Sequence, residues 1–144
     1  MIPSFGPRGS LPPGVHETTM AEIESRLAFN EHRRHLVAGL KRAVANLEAA
    51  GARRVWIDGS FVTDKPEPAD IDGCWDPVGV NPELLDPILL DFRDLRDAMK
   101  RKYGVDFFPN VIEAASGRVF YRFFQYDRDQ EPRGLLLLNL GGDQ

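Results

Sequence analysis

Apolar residues recur at helical spacing through "EHRRHLVAGLKRAVANLEAAG", where Leu36, Val37, Leu40, Ala43, Val44 and Leu47 form one stripe. The spacing predicts an amphipathic helix over 31–51, capped by Asn30 and stopped at Gly51. Arg33, Arg34, Lys41 and Arg42 fall largely outside that stripe and read as a solvated basic face. A shorter helix is predicted through "MAEIESRLAF", with Thr18 or Thr19 as its cap. The branched and aromatic runs "RRVWID", "DIDGCW", "VDFFPNV", "RVFYRFFQY" and "GLLLLNL" predict five strands, the last two joined by the polar turn "DRDQEP". Between the second and third strands, Asn81 and Pro82 open a helix that Pro87 restarts and Gly104 ends. Leu90, Leu95, Met99 and Tyr103 are its expected buried side. The cations of its closing "MKRKYG" lie where the helix dipole favours them, so they read as structural.

The first fifteen residues hold four prolines and three glycines, which predicts an extended arm over 1–17 that Phe5, Leu11 and Val15 pin to the surface. A single domain over 18–144 follows, with the order helix, helix, strand, strand, helix, strand, strand, strand. That order predicts an α+β fold: a small mixed sheet of about five strands with helices on one side, not an alternating doubly wound fold.

Composition narrows the function classes. The formal charge of the 144 residues is −4, so no global basic field draws in long nucleic acid, and a small charged ligand held through metal ions fits better. One cysteine, Cys74, excludes an internal disulfide and reads as a small buried side chain. With no charged segment leading into an apolar run and a cleavage site, and with "GLLLLNL" far short of the roughly 20 residues of a membrane helix, the chain reads as cytoplasmic with no membrane contact.

The chemistry concentrates in "GSFVTDKPEPADID", residues 59–72. Side chains at i and i+2 of a strand share a face, so Asp70 and Asp72 project together while Ile71 points the other way. Two such carboxylates repel one another unless a cation lies between them, and magnesium, which takes hard oxygen ligands, suits the pair. A Gly-Ser turn after a strand offers backbone N–H groups and a hydroxyl to phosphate oxygens, so Gly59 and Ser60 read as the cradle of a triphosphate. Thr63 and Lys65, in the loop between turn and acids, are further candidates for phosphate contact, weighed equally against a merely solvated loop.

Gly59-Ser60, nine intervening residues and Asp70-Ile71-Asp72 resemble the motif of the DNA polymerase β-like nucleotidyltransferase superfamily. Over most of the chain, "LPPG", "DGSFVT" leading to "DID", and "FFQYDR" resemble a group of small bacterial proteins of minimal nucleotidyltransferase type. The resemblance implies that Asp70 and Asp72 hold two magnesium ions, with Asp106 in "GVDFFP" as a third ligand and base. It implies transfer of a nucleoside monophosphate from a nucleoside triphosphate to a hydroxyl of a protein or RNA acceptor. The chain has no room for the extra helical domain of larger members, which favours a macromolecular acceptor over a small one. A toxin–antitoxin or phage-defence setting, with a cognate protein partner, is implied by analogy. The alternative is a catalytically inactive binding module of the same fold, acting as a partner or antitoxin subunit.

Other residues carry weaker signals. Arg128 and Arg133 flank the last hairpin and are candidates to hold a base, ribose or phosphate. Asp58, just before Gly59, is placed to brace the turn through a backbone N–H or to reach the metal cluster, with bracing favoured, and Asp76 reads as a turn former at a strand end. His32 and His35 share a helix face but lack a third zinc ligand.

Overall fold

The computed structural model describes residues 1–111 and 133–141. The elements are β1 (Gly14–Thr18), α1 (Met20–Leu27), α2 (Glu31–Ala49), β2 (Arg54–Asp58), β3 (Ile71–Trp75), α3 (Arg93–Tyr103), β4 (Val105–Pro109) and β5 (Gly134–Asn139), with short 3-10 turns at Gly59–Val62 and Pro87–Leu90. The expected strand "RVFYRFFQY", the turn after it and Arg128 lie outside the described residues.

The five strands form one mixed sheet in the order β1-β5-β2-β3-β4. The outer pairs β1/β5 and β3/β4 are parallel, and β2 runs antiparallel to both its neighbours. This is an α+β fold. Strand alternation divides the sheet cleanly. Val55, Ile57, Ile71, Trp75, Val105, Phe107, Leu136 and Leu138 join one core with the buried sides of all three helices. Trp56, Cys74 and Leu135 form a separate buried cluster from the alternate positions.

Local chemistry explains the helix ends. Thr19 caps α1 by accepting from the Glu22 amide at 3.2 Å, and Asn30 caps α2 by accepting from the Arg33 amide at 2.8 Å. Gly51, at φ +105°, ends α2 as expected. In the middle of α2, a Cβ on Gly39 would sit 2.1 Å from the Tyr103 carbonyl oxygen, so only glycine lets α2 approach α3 this closely.

Four expectations need correction. The N-terminal segment is not simply an arm, because Gly14–Thr18 is an edge strand paired in parallel with β5, and Ile2 and Leu11 are buried in the core. The segment opened by Asn81 and Pro82 is not helical; the chain turns at Asn81–Leu84 and again at Asp86–Leu89, where Asp86 accepts from the Ile88 amide, and α3 begins only at Arg93. Local side-chain bonds of this kind compete with helix. Met99 and Tyr103 are buried as expected, but Leu90 and Leu95 are exposed, and Leu89 takes the core position instead. Arg33 is no part of a solvated face: it is completely buried.

Candidate metal centre

Parity along the strands builds the site. Asp58 lies two residues after Trp56 and Asp72 two before Cys74, so both belong to the sheet face away from the helices. Asp58 pairs with Asp72 across β2/β3, and Asp72 pairs with Asp106 across β3/β4, which sets three aspartates in a row on three adjacent strands. Asp70 precedes β3 and joins them from its start. One carboxylate oxygen from each of Asp70, Asp72 and Asp106 lies within 4.8 Å of the others. Asp106 is buried and the other two are partly buried.

The electrostatics follow from that crowding. Burial, reinforced by repulsion from Asp70, Asp106 and Asp58, pushes the Asp72 carboxyl up to about 7. Burial and then Asp106 also raise Asp70. Asp58 is pushed up to about 6 by burial, against the opposing pull of Arg133. Arg133 donates to Asp58 Oδ2 at 2.9 Å, while Asp58 Oδ1 is buried without a hydrogen-bond partner among the described residues. Asp58 therefore stands behind the cluster, held by Arg133 from the start of the last strand.

Two cations of α3 reach the same cluster. Arg96 donates from Nε to Asp106 Oδ1 at 2.6 Å and from Nη2 to Oδ2 at 3.3 Å. Lys100 Nζ lies 3.7 Å from Asp106 and 4.0 Å from Asp70. The cations at the end of this helix had a structural reading in the sequence; Lys100 instead faces the acids.

Gly59 belongs to this site for a geometric reason. Its φ is +79°, and a Cβ there would come 2.1 Å from Asp72 Oδ2. The turn and the acid are in direct contact. The loop that follows is shaped from inside the protein by Arg33. Its guanidinium donates to the carbonyls of Leu27 and Phe61, each at 2.9 Å, and to those of Thr63 and Lys65 at 2.7 Å, with Ser60 at 3.4 Å. It also lies over the rings of Phe29 and Phe61. Burial draws Arg33 down to about 10, which leaves it charged at neutral pH.

Of the remaining sequence candidates, Thr63 gives its hydroxyl to the Ser60 carbonyl at 2.6 Å, and Lys65 is exposed. Among the described residues no hydrogen bond or ion pair joins either to the three aspartates. His32 is bonded to the Pro68 carbonyl, and neither it nor His35 belongs to the acidic group. Cys74 is buried, which pushes its thiol up, and Asp76 accepts from the Val78 amide as a turn former does.

Three hard oxygen donors, no sulfur or imidazole, suit magnesium or manganese better than zinc. Oxygens on an octahedral magnesium ion stand about 3.0 Å apart when adjacent and about 4.2 Å when opposite, so three oxygens within 4.8 Å of one another form a slightly open version of a ligating set. Fold and cluster together define a small α+β protein with an acidic site fit for a divalent cation. The chain belongs to the family of unknown function DUF6932, whose model matches residues 3–139. No curated protein and no solved structure matches it significantly. Among the described residues no helix is long and apolar enough to cross a membrane.

Proposed function

We propose that this protein is a metal-dependent nucleotidyltransferase that moves a nucleoside monophosphate from a nucleoside triphosphate to a hydroxyl of a protein or RNA acceptor. The observation that carries the reading is the convergence of Asp70, Asp72 and Asp106 beside the Gly59-Ser60 turn. It unites the parts of the polymerase β-like motif that the sequence resembles.

Asp70, Asp72 and Asp106 would hold the metal, two magnesium ions in the fullest form of the reading. Bound there, magnesium would neutralise the phosphates and stabilise charge on the attacking and leaving oxygens. The acceptor hydroxyl oxygen forms a bond to the α-phosphorus as the bond to the bridging oxygen breaks. Pyrophosphate leaves with that electron pair, and the hydroxyl proton passes to a site carboxylate, with Asp106 as the proposed base. Gly59 and Ser60 steady the phosphates, with Thr63 and Lys65 at the rim of the same loop.

One observation favours a second reading. Both Asp106 oxygens accept from Arg96, as they would in a domain whose acids are structural partners of cations and whose role is nucleotide or protein binding alone. The test is magnesium-dependent transfer of label from α-labelled triphosphates onto protein or RNA of a cell lysate. Labelling by wild type and none by Asp70→Ala/Asp72→Ala supports the enzyme. Silence from both, with triphosphate binding intact, establishes the binding module in its place.

A further inference from the structure

The segment that brings Arg96 to the acids is strained. Asp94, Leu95 and Arg96 have φ of 52°, 56° and 63°, three successive non-glycine residues in the left-handed region. Such residues visit that region singly and at a cost, and a run of three persists only where other contacts impose it. Leu95, at the centre of the run, is 75% exposed, so its side chain contributes little packing. Among the described residues, Arg96 ties the turn to the sheet by two bonds to Asp106 and a guanidinium 5.0 Å over the Phe108 ring, beside the local Arg93–Asp91 ion pair that precedes it. Phe108 is itself stacked on Phe92, just before the turn.

A guanidinium that bonds both Asp106 oxygens and a divalent ion at the same carboxylate repel one another and compete for those oxygens. We infer that Arg96, seconded by Lys100, is an exchangeable counter-cation of the acidic site. A divalent ion displaces the guanidinium from Asp106, the left-handed turn relaxes toward ordinary helix, and the freed fork meets the polyphosphate of the substrate. This rests on the metal-site reading above. The planar guanidinium that now spans both oxygens of a carboxylate has the geometry to span two phosphate oxygens. Lys100, between Asp70 and Asp106, is a second positive charge on the same side of the site. The exchange explains how acids that must bind metal are kept paired before it arrives, and it assigns substrate contact to two residues outside the Gly-Ser loop.

The experiment is titration of the purified protein with Mn2+ alone, followed by electron paramagnetic resonance, and then with inorganic tripolyphosphate at saturating Mn2+, for wild type, Arg96→Gln and Lys100→Gln. Arg96→Gln is expected to bind Mn2+ about tenfold more tightly, because a partly buried competing charge is gone, and to bind tripolyphosphate about tenfold more weakly. Lys100→Gln shifts both affinities in the same directions by smaller factors, and carries the test if Arg96→Gln does not fold. Unchanged or weaker Mn2+ binding in these variants, or unchanged tripolyphosphate binding, overturns the exchange while leaving the metal site standing. Absence of Mn2+ binding from wild type and both variants overturns the metal site itself, and the exchange with it.

Discussion

Replacing Arg33 tests whether a buried cation organises the loop beside the acids. Arg33 is fully buried, and its guanidinium serves five backbone carbonyls, those of Leu27, Ser60, Phe61, Thr63 and Lys65. The bonds to Leu27 and Phe61 are wholly buried, whereas those to Ser60, Thr63 and Lys65 are only partly so. In Arg33→Ala, water can reach the second group but not the first. Two orphaned buried carbonyls at about 1–3 kcal/mol each, less what the loop recovers by moving, give a loss of about 2–5 kcal/mol. That is a large share of the roughly 5–15 kcal/mol by which a domain of this size is stable. Arg33→Met keeps the aliphatic stem and removes every donor, so it should cost nearly as much as alanine. Arg33→Lys keeps the charge but not the fork and should lose about half. Equilibrium unfolding in urea measures all three, with the alanine midpoint expected to fall by roughly 2 M for a typical slope. A solvated helix arginine would change stability by no more than about 0.5 kcal/mol. An alanine variant within about 1 kcal/mol of wild type would refute the organising role.

Two further perturbations address the acids directly. Because the folded protein holds the Asp72 proton up to about pH 7, against an ordinary 3.8, it binds more protons than the unfolded chain between those values. The stability Asp72 contributes is therefore fully present below about pH 4 and lost as pH rises through about 7, on the order of 4 kcal/mol in metal-free protein. Asp72→Asn should thus gain stability over wild type at pH 7.5 and little at pH 4, read by urea unfolding at both; a difference independent of pH would contradict the crowding of the carboxylates. Gly59→Ala places a methyl group on a backbone at φ +79° and against Asp72 Oδ2, so it should destabilise by about 1–3 kcal/mol and weaken Mn2+ binding by roughly tenfold. Unchanged calorimetric Mn2+ affinity would remove Gly59 from the site.

Asp70 and Asp72 were legible because their information is local: the i, i+2 spacing puts both on one face. Asp106 was reached only through the family resemblance, and its register opposite Asp72 across β3/β4 is a long-range property of the fold. Arg33 was illegible for the opposite reason. Helical periodicity says which side of α2 a residue occupies, not that a loop some thirty positions later turns its carbonyls toward that side. Lys100 shares this blindness, since a basic helix end satisfies the dipole whether or not acids lie opposite, and Arg96 gave no signal because nothing in the sequence marks the left-handed turn that aims it at Asp106. The edge strand Gly14–Thr18 was hidden by the prolines just before it; its pairing begins only where they end, at Gly14 with Gly134. The long helix expected after Asn81 was overridden by side chains, with Asp86 bonding to the backbone two residues on and two prolines breaking the run.

The same alternation that made the acids legible also fixes them in place. Each aspartate of the row has a fully buried strand neighbour on the helix side: Ile57 beside Asp58, Ile71 beside Asp72, Val105 and Phe107 on either side of Asp106. A slip of one residue in any of these strands would exchange the two faces, sending a carboxylate into the core and an isoleucine, valine or phenylalanine into the acidic site. The cost of burying an unpaired carboxylate makes that slip prohibitive. Four acids, Asp58, Asp70, Asp72 and Asp106, are consequently gathered at one end of one face, where among the described residues Arg96, Lys100 and Arg133 pair with them. The helix-covered core supplies the stability that holds these carboxylates together, and their crowding makes the cluster a candidate site for a divalent cation.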